Sequence, residues 1–140
     1  MLTVAFALGG CSILAPIEVP SESEIIGTWR YDESGTWGEP GGTIVFSADG
    51  TFAALDMPED LRGGTGEAIA VDREGRWAID DGSVGDTPGY YDPGVIITYA
   101  IDDVRNQEVR LQVDGNGDHF RLRHWHDYDI PEYYILVKLD

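Results

Sequence analysis

The sequence predicts an all-β domain, folded as a single antiparallel up-and-down β-barrel or meander of about eight short strands. From residue 25 onward, apolar residues recur with a period of two rather than with the period of a helix. Each short β-rich run is bounded by Gly, Asp, Asn or Pro clusters, a spacing typical of antiparallel sandwiches and barrels. The predicted strands are residues 25–31, 43–47, 51–56, 75–80, 95–101, 108–113, 119–125 and 133–139.

Length and charge limit the number of domains and the kinds of ligand that this chain can bind. The chain has 140 residues, 42% of them hydrophobic, which is enough for one domain with its own core. Its 26 acidic and 9 basic side chains leave a formal charge of −17, which argues against a phosphate-binding surface. We therefore expect no binding of nucleic acid. We also expect a monomer that needs no cofactor.

The N-terminus resembles a bacterial lipoprotein signal. Residues 1–10 are apolar and uncharged, and they end in small residues just before the only cysteine, Cys11. The run Leu8-Gly9-Gly10-Cys11 matches a lipobox, which implies cleavage before Cys11 and a diacylglycerol on its sulfur. The alternative is that residues 2–14 form a buried strand or helix of the domain. The apolar run is too short to cross a bilayer, because a bilayer span takes about 20 residues.

Residues 11–24 are expected to form the lipid-attachment cysteine and an extended tether. They hold two prolines and three glutamates without steady periodicity. The antiparallel β domain then occupies residues 25–140. These expectations describe an exported protein held at the outer face of the cell membrane through a lipid on Cys11.

Turns and alternation assign the faces of the strands. Asp49-Gly50 marks one tight hairpin turn, and residues 114–118 mark another. In the strand at 108–113 the valines and leucine fall on one side, while Arg110 and Gln112 fall on the other. The residues expected to face inward are Ile44, Phe46, Phe52, Ile97, Tyr99, Ile101, Val109, Leu111, Val113, Phe120 and Leu122.

Two loops are expected to be long, residues 57–74 and 81–94. Within the first, residues 58–62 are the best helical candidate, because Pro58 followed by two acids suits a helix N-terminus. We expect a single helical turn there.

The tryptophans divide into two groups. A strand glycine two residues earlier lies on the same face as Trp29 and as Trp77, and leaves room for each indole, so both are expected in the core. Trp37 lies in a loop rich in Gly and Pro. We expect it to be exposed and treat it as a candidate contact residue.

Several short motifs recur in a recognisable order. They are Gly27-Thr28-Trp29, the FSADGTF run at 46–52, Gly75-Arg76-Trp77 and Asp127-Tyr128-Asp129. With the lipobox, they resemble the small lipoproteins of high-GC Gram-positive bacteria. The resemblance implies a compact, lipid-anchored β domain outside the cell, and it carries no catalytic residues with it.

A more distant resemblance is to lipocalins. Gly27 and Trp29 on the first strand, and Asp127 followed by Tyr133, are similar to two lipocalin signatures. Only one strand follows Asp127 where a lipocalin has two. The resemblance implies a lipocalin-like meander with a modest cavity.

We expect no enzymatic activity. Residues 81–85 lack the first glycine of a nucleophile elbow and do not lead into a helix. Since no nucleophile, base and oxyanion set is recognisable, the sequence predicts no catalytic residues.

Metal sites are also not expected. His124 and His126 share one face of a regular strand and His119 lies on the other, so two could share a metal. With no third ligand spaced with them, we favour histidines that are solvated or packed against neighbours.

Asp114 to Asp118 alternates oxygen ligands as a calcium loop does. A histidine follows where an EF-hand needs glycine, which favours a hairpin turn over a calcium site.

Tyr90 and Tyr91, flanked by Pro-Gly pairs in the 81–94 loop, are the best candidates for a contact surface. The alternative is that one tyrosine begins the next strand and the other caps the barrel.

For the function, we favour a non-catalytic binding module for a small apolar or envelope-derived ligand. The remaining hypotheses are an inhibitor or decoy for a cationic protein, through the acidic surface, and a structural surface lipoprotein without a specific ligand.

Overall fold

The fold is a closed barrel of eight antiparallel strands that follow one another in sequence order, which confirms the predicted fold class. The computed structural model describes residues 17–32, 41–60, 68–115, 120–127 and 132–139. Cys11, Trp37 and His119 lie outside the described residues. The elements are α1 (Glu22–Ile25), β1 (Gly27–Asp32), β2 (Thr43–Phe46), β3 (Thr51–Asp60), β4 (Ala68–Asp80), β5 (Gly94–Ala100), β6 (Asn106–Asp114), β7 (Arg121–Asp127) and β8 (Glu132–Lys138).

The first strand closes the barrel. Trp29 of β1 lies opposite Ile44 of β2 on one side and opposite Lys138 of β8 on the other. Closure leaves no unpaired sheet edge between β8 and β1, and so removes the surface on which β proteins associate edge to edge.

Alternate residues of all eight strands fill the interior. Trp29 and Trp77 are both buried, as the sequence predicts. The predicted inward set is confirmed, because eight of its members are buried and Ile101, Val109 and Phe120 pack against them. A Cβ on Gly75 would lie 2.1 Å from the Thr98 carbonyl oxygen and 3.1 Å from the Phe52 ring, so this glycine makes room for those groups rather than for Trp77.

The hairpin of β3 and β4 is longer than the sequence predicts. β3 continues to Asp60 and β4 begins at Ala68, so most of the expected loop at 57–74 is strand. The helix predicted at 58–62 is wrong over residues 58–60, which belong to β3. Residues 61 and 62 lie outside the described residues.

A bulge in β3 explains that difference. The register shifts between Ala54 and Met57, with Asp56 at φ 52 and its N–H donating to Asp72 Oδ1 over 3.0 Å. The bulge turns the Met57 side chain fully into the core. A single helical turn would bury less apolar surface and would form few hydrogen bonds, so the strand is the more stable conformation.

Helix α1 covers one end of the barrel. Ser21 and Glu24 form a capping box at its start, and Ile25 at its end is fully buried. The Trp29 Nε1 donates to the Ile25 carbonyl over 2.8 Å, and Lys138 Nζ donates to the Glu24 carbonyl over 3.0 Å. The first strand therefore begins at Gly27, after this turn, and not at Ile25.

The segment expected to be an extended tether is structured from residue 17 onward. Ile17 packs against the core and Pro20 is buried, and the helical turn follows directly. Among the described residues, no helix is long and apolar enough to cross a membrane.

The end covered by α1, which we call the α1 end, carries three other connections. Strands alternate in direction, so β4 and β6 end where β1 begins, and Asp80 pairs with Gly94 there. The β2–β3 turn, the loop at 81–93 and the β6–β7 connection therefore share this end with the N-terminal segment.

Candidate functional site

Tyr90 and Tyr91 project from the 81–93 loop at the α1 end. Their side chains are 62% and 56% exposed, and the two rings meet edge to face with centroids 4.7 Å apart. β5 begins at Gly94, so neither tyrosine opens that strand. The exposed rings are the feature that a contact surface requires.

A groove of about 590 Å³ lies beside the two rings. Its floor is the outer face of β6 and its wall is the end of the 81–93 loop. The residues that line it are Gly89, Tyr90, Tyr91, Asp92, Arg110 and Gln112.

Arg110 fixes the wall of the groove to its floor. Its guanidinium pairs with the Asp80 carboxylate, donates to the Asp92 carbonyl and lies over the Tyr91 ring, with Cζ 5.8 Å from the ring centroid. Asp80 and Arg110 are both largely shielded from solvent. One side chain thus holds β4, β6 and the tyrosine loop together.

The start of the loop is held by Gly82. The Tyr91 N–H donates to the Gly82 carbonyl over 2.8 Å, and the Gly82 N–H donates to Asp80 Oδ1 over 2.9 Å. Gly82 has φ +81, and a Cβ there would lie 2.0 Å from the Tyr91 carbonyl oxygen. Only glycine allows the loop to return this closely on itself.

Beyond the groove, the outer face of the sheet carries aromatic and cationic side chains of β7 and β8. Gln112 donates through Nε2 to Asp92 Oδ2 and accepts from Trp125 Nε1 through Oε1, each over 2.6 Å. The Trp125 and Tyr133 ring centroids are 5.1 Å apart, and Arg123 Cζ lies 4.7 Å from the Tyr133 centroid. We call Arg123, Trp125 and Tyr133 the outer strip.

Sequence reasoning missed the outer strip. The alternation of β7 carried the signal, because Trp125 shares the outward face with Arg121 and Arg123 rather than the inward face with Leu122. A large aromatic ring on a polar strand face is a candidate contact residue.

Acidic side chains surround the α1 end and keep their charge. Hydrogen bonds from the Ser83 side chain and N–H lower the pKa of Asp81, and the same groups of Thr51 lower the pKa of Asp49. Both are exposed turn residues. The site therefore lies in a negative surface at any pH above the usual carboxyl range.

His124 is packed against neighbours, as we favoured. It faces the interior, with Nδ1 2.8 Å from the Tyr31 hydroxyl, and its ring meets Tyr134 edge to face. The His126 side chain lies outside the described residues. Within the described parts of the chain, no group of three His, Cys, Asp or Glu residues is placed to hold a metal.

Asp114, the first residue of the calcium-like run, is held by two arginines. Its Oδ2 accepts from Arg121 Nη2 over 2.7 Å, and its Oδ1 lies 3.2 Å from Arg123 Nη2. Residues 116–118 of that run lie outside the described residues. Within the outer strip, Asp114 thus pairs with Arg123 and helps to orient its guanidinium.

No protein-family model, curated protein or solved structure matches this chain.

Proposed function

We propose that this protein is an exported, lipid-anchored binding module without catalytic activity, which contacts an envelope-derived ligand through the groove beside Tyr90 and Tyr91. The observation that carries the proposal is that two exposed aromatic rings line a groove of about 590 Å³, where Arg110 packs on Tyr91 and Tyr91 packs on Tyr90. Rigid aromatic contacts cost little conformational entropy on binding.

The barrel interior is less suited to a ligand than the groove. Trp29, Tyr31 and Phe46 are fully or almost fully buried and pack in edge-to-face contacts with Phe120, Tyr134 and Trp77 respectively. A small apolar ligand would have to displace such rings from the core. The groove needs no rearrangement of this kind.

The position of the groove fits an anchored protein. Ile17 packs on the core shortly before α1, and the segment from Cys11 to Ile17 spans at most about 20 Å. A lipid on Cys11 would thus hold the α1 end, and with it the groove, close to the membrane. Ligands in the layer next to the membrane would be within reach.

The binding test uses the full chain with Cys11→Ala, which removes the acylation site. This chain is immobilised and exposed to envelope extract at low and high salt, and captured lipids, glycans and proteins are identified by mass spectrometry. We expect a ligand that the double variant Tyr90→Ala/Tyr91→Ala no longer captures. Val104→Ala is the control, since Val104 is 88% exposed in the β5–β6 loop at the opposite end.

Other outcomes separate the remaining hypotheses. Capture of a basic protein at low salt only, unaffected by the tyrosine substitutions, would favour the decoy and contradict the groove proposal. Capture of nothing at either salt would favour a structural lipoprotein.

The anchor has its own test. Expressed with its signal, the unaltered chain should partition with membranes and Cys11→Ala should appear in the soluble fraction. Membrane retention of Cys11→Ala equal to that of the unaltered chain would contradict lipid attachment at this residue.

A further inference from the structure

We propose that the ligand is an uncharged carbohydrate chain, which lies in the groove and extends over the outer strip to Tyr133. This inference rests on the proposed function and names the ligand class. It is carried by the continuous arrangement of aromatic rings and planar polar groups that runs from Tyr91 through Gln112 to Trp125.

The aromatic rings supply the apolar part of the site. Sugar rings present flat C–H faces, which pack against tyrosine and tryptophan. Tyr90 and Tyr91 are more than half exposed, and Trp125 and Tyr133 are partly exposed on the sheet. The Trp125 Nε1 already donates to Gln112, so its indole is held in place before a ligand arrives.

The polar groups between the rings match neighbouring hydroxyls. Arg110 and Gln112 donate, the Asp92 carboxylate accepts, and each of these groups is oriented by a contact to another. A hydroxyl both donates and accepts, so a vicinal pair can bond to a carboxylate and an amide side by side. Groups fixed in advance lose little entropy on binding.

The charges favour an uncharged chain. Arg110 pairs with Asp80, and Arg121 and Arg123 share Asp114. Together with Asp92 at the wall of the groove, these three arginines face three aspartates, so this set of residues carries no net positive charge for a phosphate or carboxylate polymer. The overall charge of −17 opposes such polymers at longer range. The groove is open and its floor carries the polar ends of Arg110 and Gln112, which suits a hydroxylated chain better than a lipid tail.

The length of the site favours several linked sugars over a single one. From Arg110 on β6, in the floor of the groove, to Tyr133 on β8 the site crosses two inter-strand spacings, about 10 Å at ~4.8 Å each. Affinity should therefore increase with the number of sugar units until the chain reaches Tyr133.

The test measures binding of defined sugars to the full chain with Cys11→Ala by calorimetry. The probes are gluco-, manno- and N-acetylglucosamine oligomers, from monosaccharide to hexasaccharide. We expect at least one series in which the hexasaccharide binds about tenfold or more tightly than the disaccharide, a difference of ~1.4 kcal/mol. No binding by any series, or no dependence on chain length, would overturn the inference.

Variants locate the chain on the surface. Tyr91→Ala should abolish binding of short and long oligomers, whereas Trp125→Ala should weaken only the long ones, about tenfold. Tyr133→Ala tests the same end of the site should Trp125→Ala fold poorly, and Val104→Ala should change nothing. Equal affinities in Tyr91→Ala and the parent would overturn the proposed location.

The results also separate this inference from the proposed function. If no sugar binds but the extract yields a lipid or protein that depends on Tyr90 and Tyr91, the binding module stands and the carbohydrate inference fails. Tighter binding of a polyanionic glycan such as heparin would likewise contradict it. If neither experiment yields a ligand, both proposals fail.

Discussion

Tyr31 and His124 are hydrogen-bonded inside the barrel, with the Tyr31 hydroxyl oxygen 2.8 Å from His124 Nδ1. The residues are 93 positions apart and meet because β1 and β7 both flank β8 in the closed sheet. The Tyr134 ring of β8 packs against both. Burial first, and then the charges of Tyr99 and Tyr134, raise the pKa of Tyr31, so its hydroxyl keeps its proton at neutral pH.

We expect Tyr31→Phe to lower the free energy of unfolding by about 1–3 kcal/mol, because it removes the hydroxyl partner of a buried histidine nitrogen. Urea unfolding followed by tryptophan fluorescence measures this. Tyr90→Phe is the control, since its hydroxyl is exposed and its loss should have almost no effect. Unchanged stability in Tyr31→Phe would contradict the structural role of the pair.

The raised pKa of Tyr31 also predicts a pH dependence. The unfolded chain releases this proton near the usual tyrosine value, about pH 10, whereas the folded chain retains it to higher pH. The contribution of Tyr31 is thus complete below pH ~10 and is lost as pH rises above it. Melting temperatures from pH 8 to 11 should fall less steeply in Tyr31→Phe; identical slopes would show that Tyr31 does not titrate differently on folding.

Ser21→Ala should loosen the α1 end. Hydrogen bonds from the Ser21 backbone N–H, and secondly from its hydroxyl, lower the pKa of Glu24. The Glu24 carboxylate therefore stabilises the fold fully above its unfolded pKa of about 4.3. This stabilisation is lost as pH falls through the lower pKa of the folded state. Loss of the cap should cost ~1 kcal/mol at neutral pH. NMR titration should show the Glu24 pKa raised part of the way toward its usual value, because the hydroxyl bond is lost while the backbone N–H of residue 21 remains. A pKa as low as in the parent would contradict the contribution of the Ser21 hydroxyl.

A matched substitution controls for the Glu24 experiment. Ser83→Ala removes a similar hydroxyl beside Asp81 in the 81–93 loop. It should raise the pKa of Asp81 and leave Glu24 unchanged.

Gly75→Ala should destabilise the barrel, because the new methyl group meets the Thr98 carbonyl and the Phe52 ring. Overpacking of this kind costs about 1–3 kcal/mol. Chemical denaturation measures the loss, with Glu74→Ala on the exposed face of the same strand as a control expected within about 0.5 kcal/mol. Equal stabilities would mean that β4 and β5 can separate without cost.

Arg110→Met should free the tyrosine loop while preserving most of the side-chain volume. Its contacts with Asp80, Asp92 and Tyr91 are lost together. We expect amide hydrogen exchange at Tyr91 to accelerate about tenfold, equivalent to ~1.4 kcal/mol of local stability. Exchange in the β5–β6 loop at the opposite end should not change, and protection of Tyr91 equal to the parent would contradict the role of Arg110.

The fold class followed from the sequence because strand periodicity and turn residues are local signals. The alternation of Val109, Leu111 and Val113 assigned the core face correctly, since a period of two leaves only two possible faces. The sequence left His124 open between a solvated and a packed position, and the structure places it inside. The sequence-based expectation was wrong at residues 58–60, where burial of Met57 by a bulge outweighed the local preference of a proline and two acids for a helix start.

The candidate site could be foreseen only in part. Tyr90 and Tyr91 stood out because Pro-Gly pairs flank them in a long loop, which is a local feature. The sequence by itself thus determined the fold class, the inward residues and the charge, and it singled out the tyrosine pair while leaving its exposure open. Only the tertiary structure decided that Arg110 and Gln112 form the groove floor with Trp125 bonded to Gln112, and that the groove shares the α1 end with the N-terminal segment. These relations join positions far apart in the chain, and they arise from the register and closure of the barrel, which no local pattern encodes.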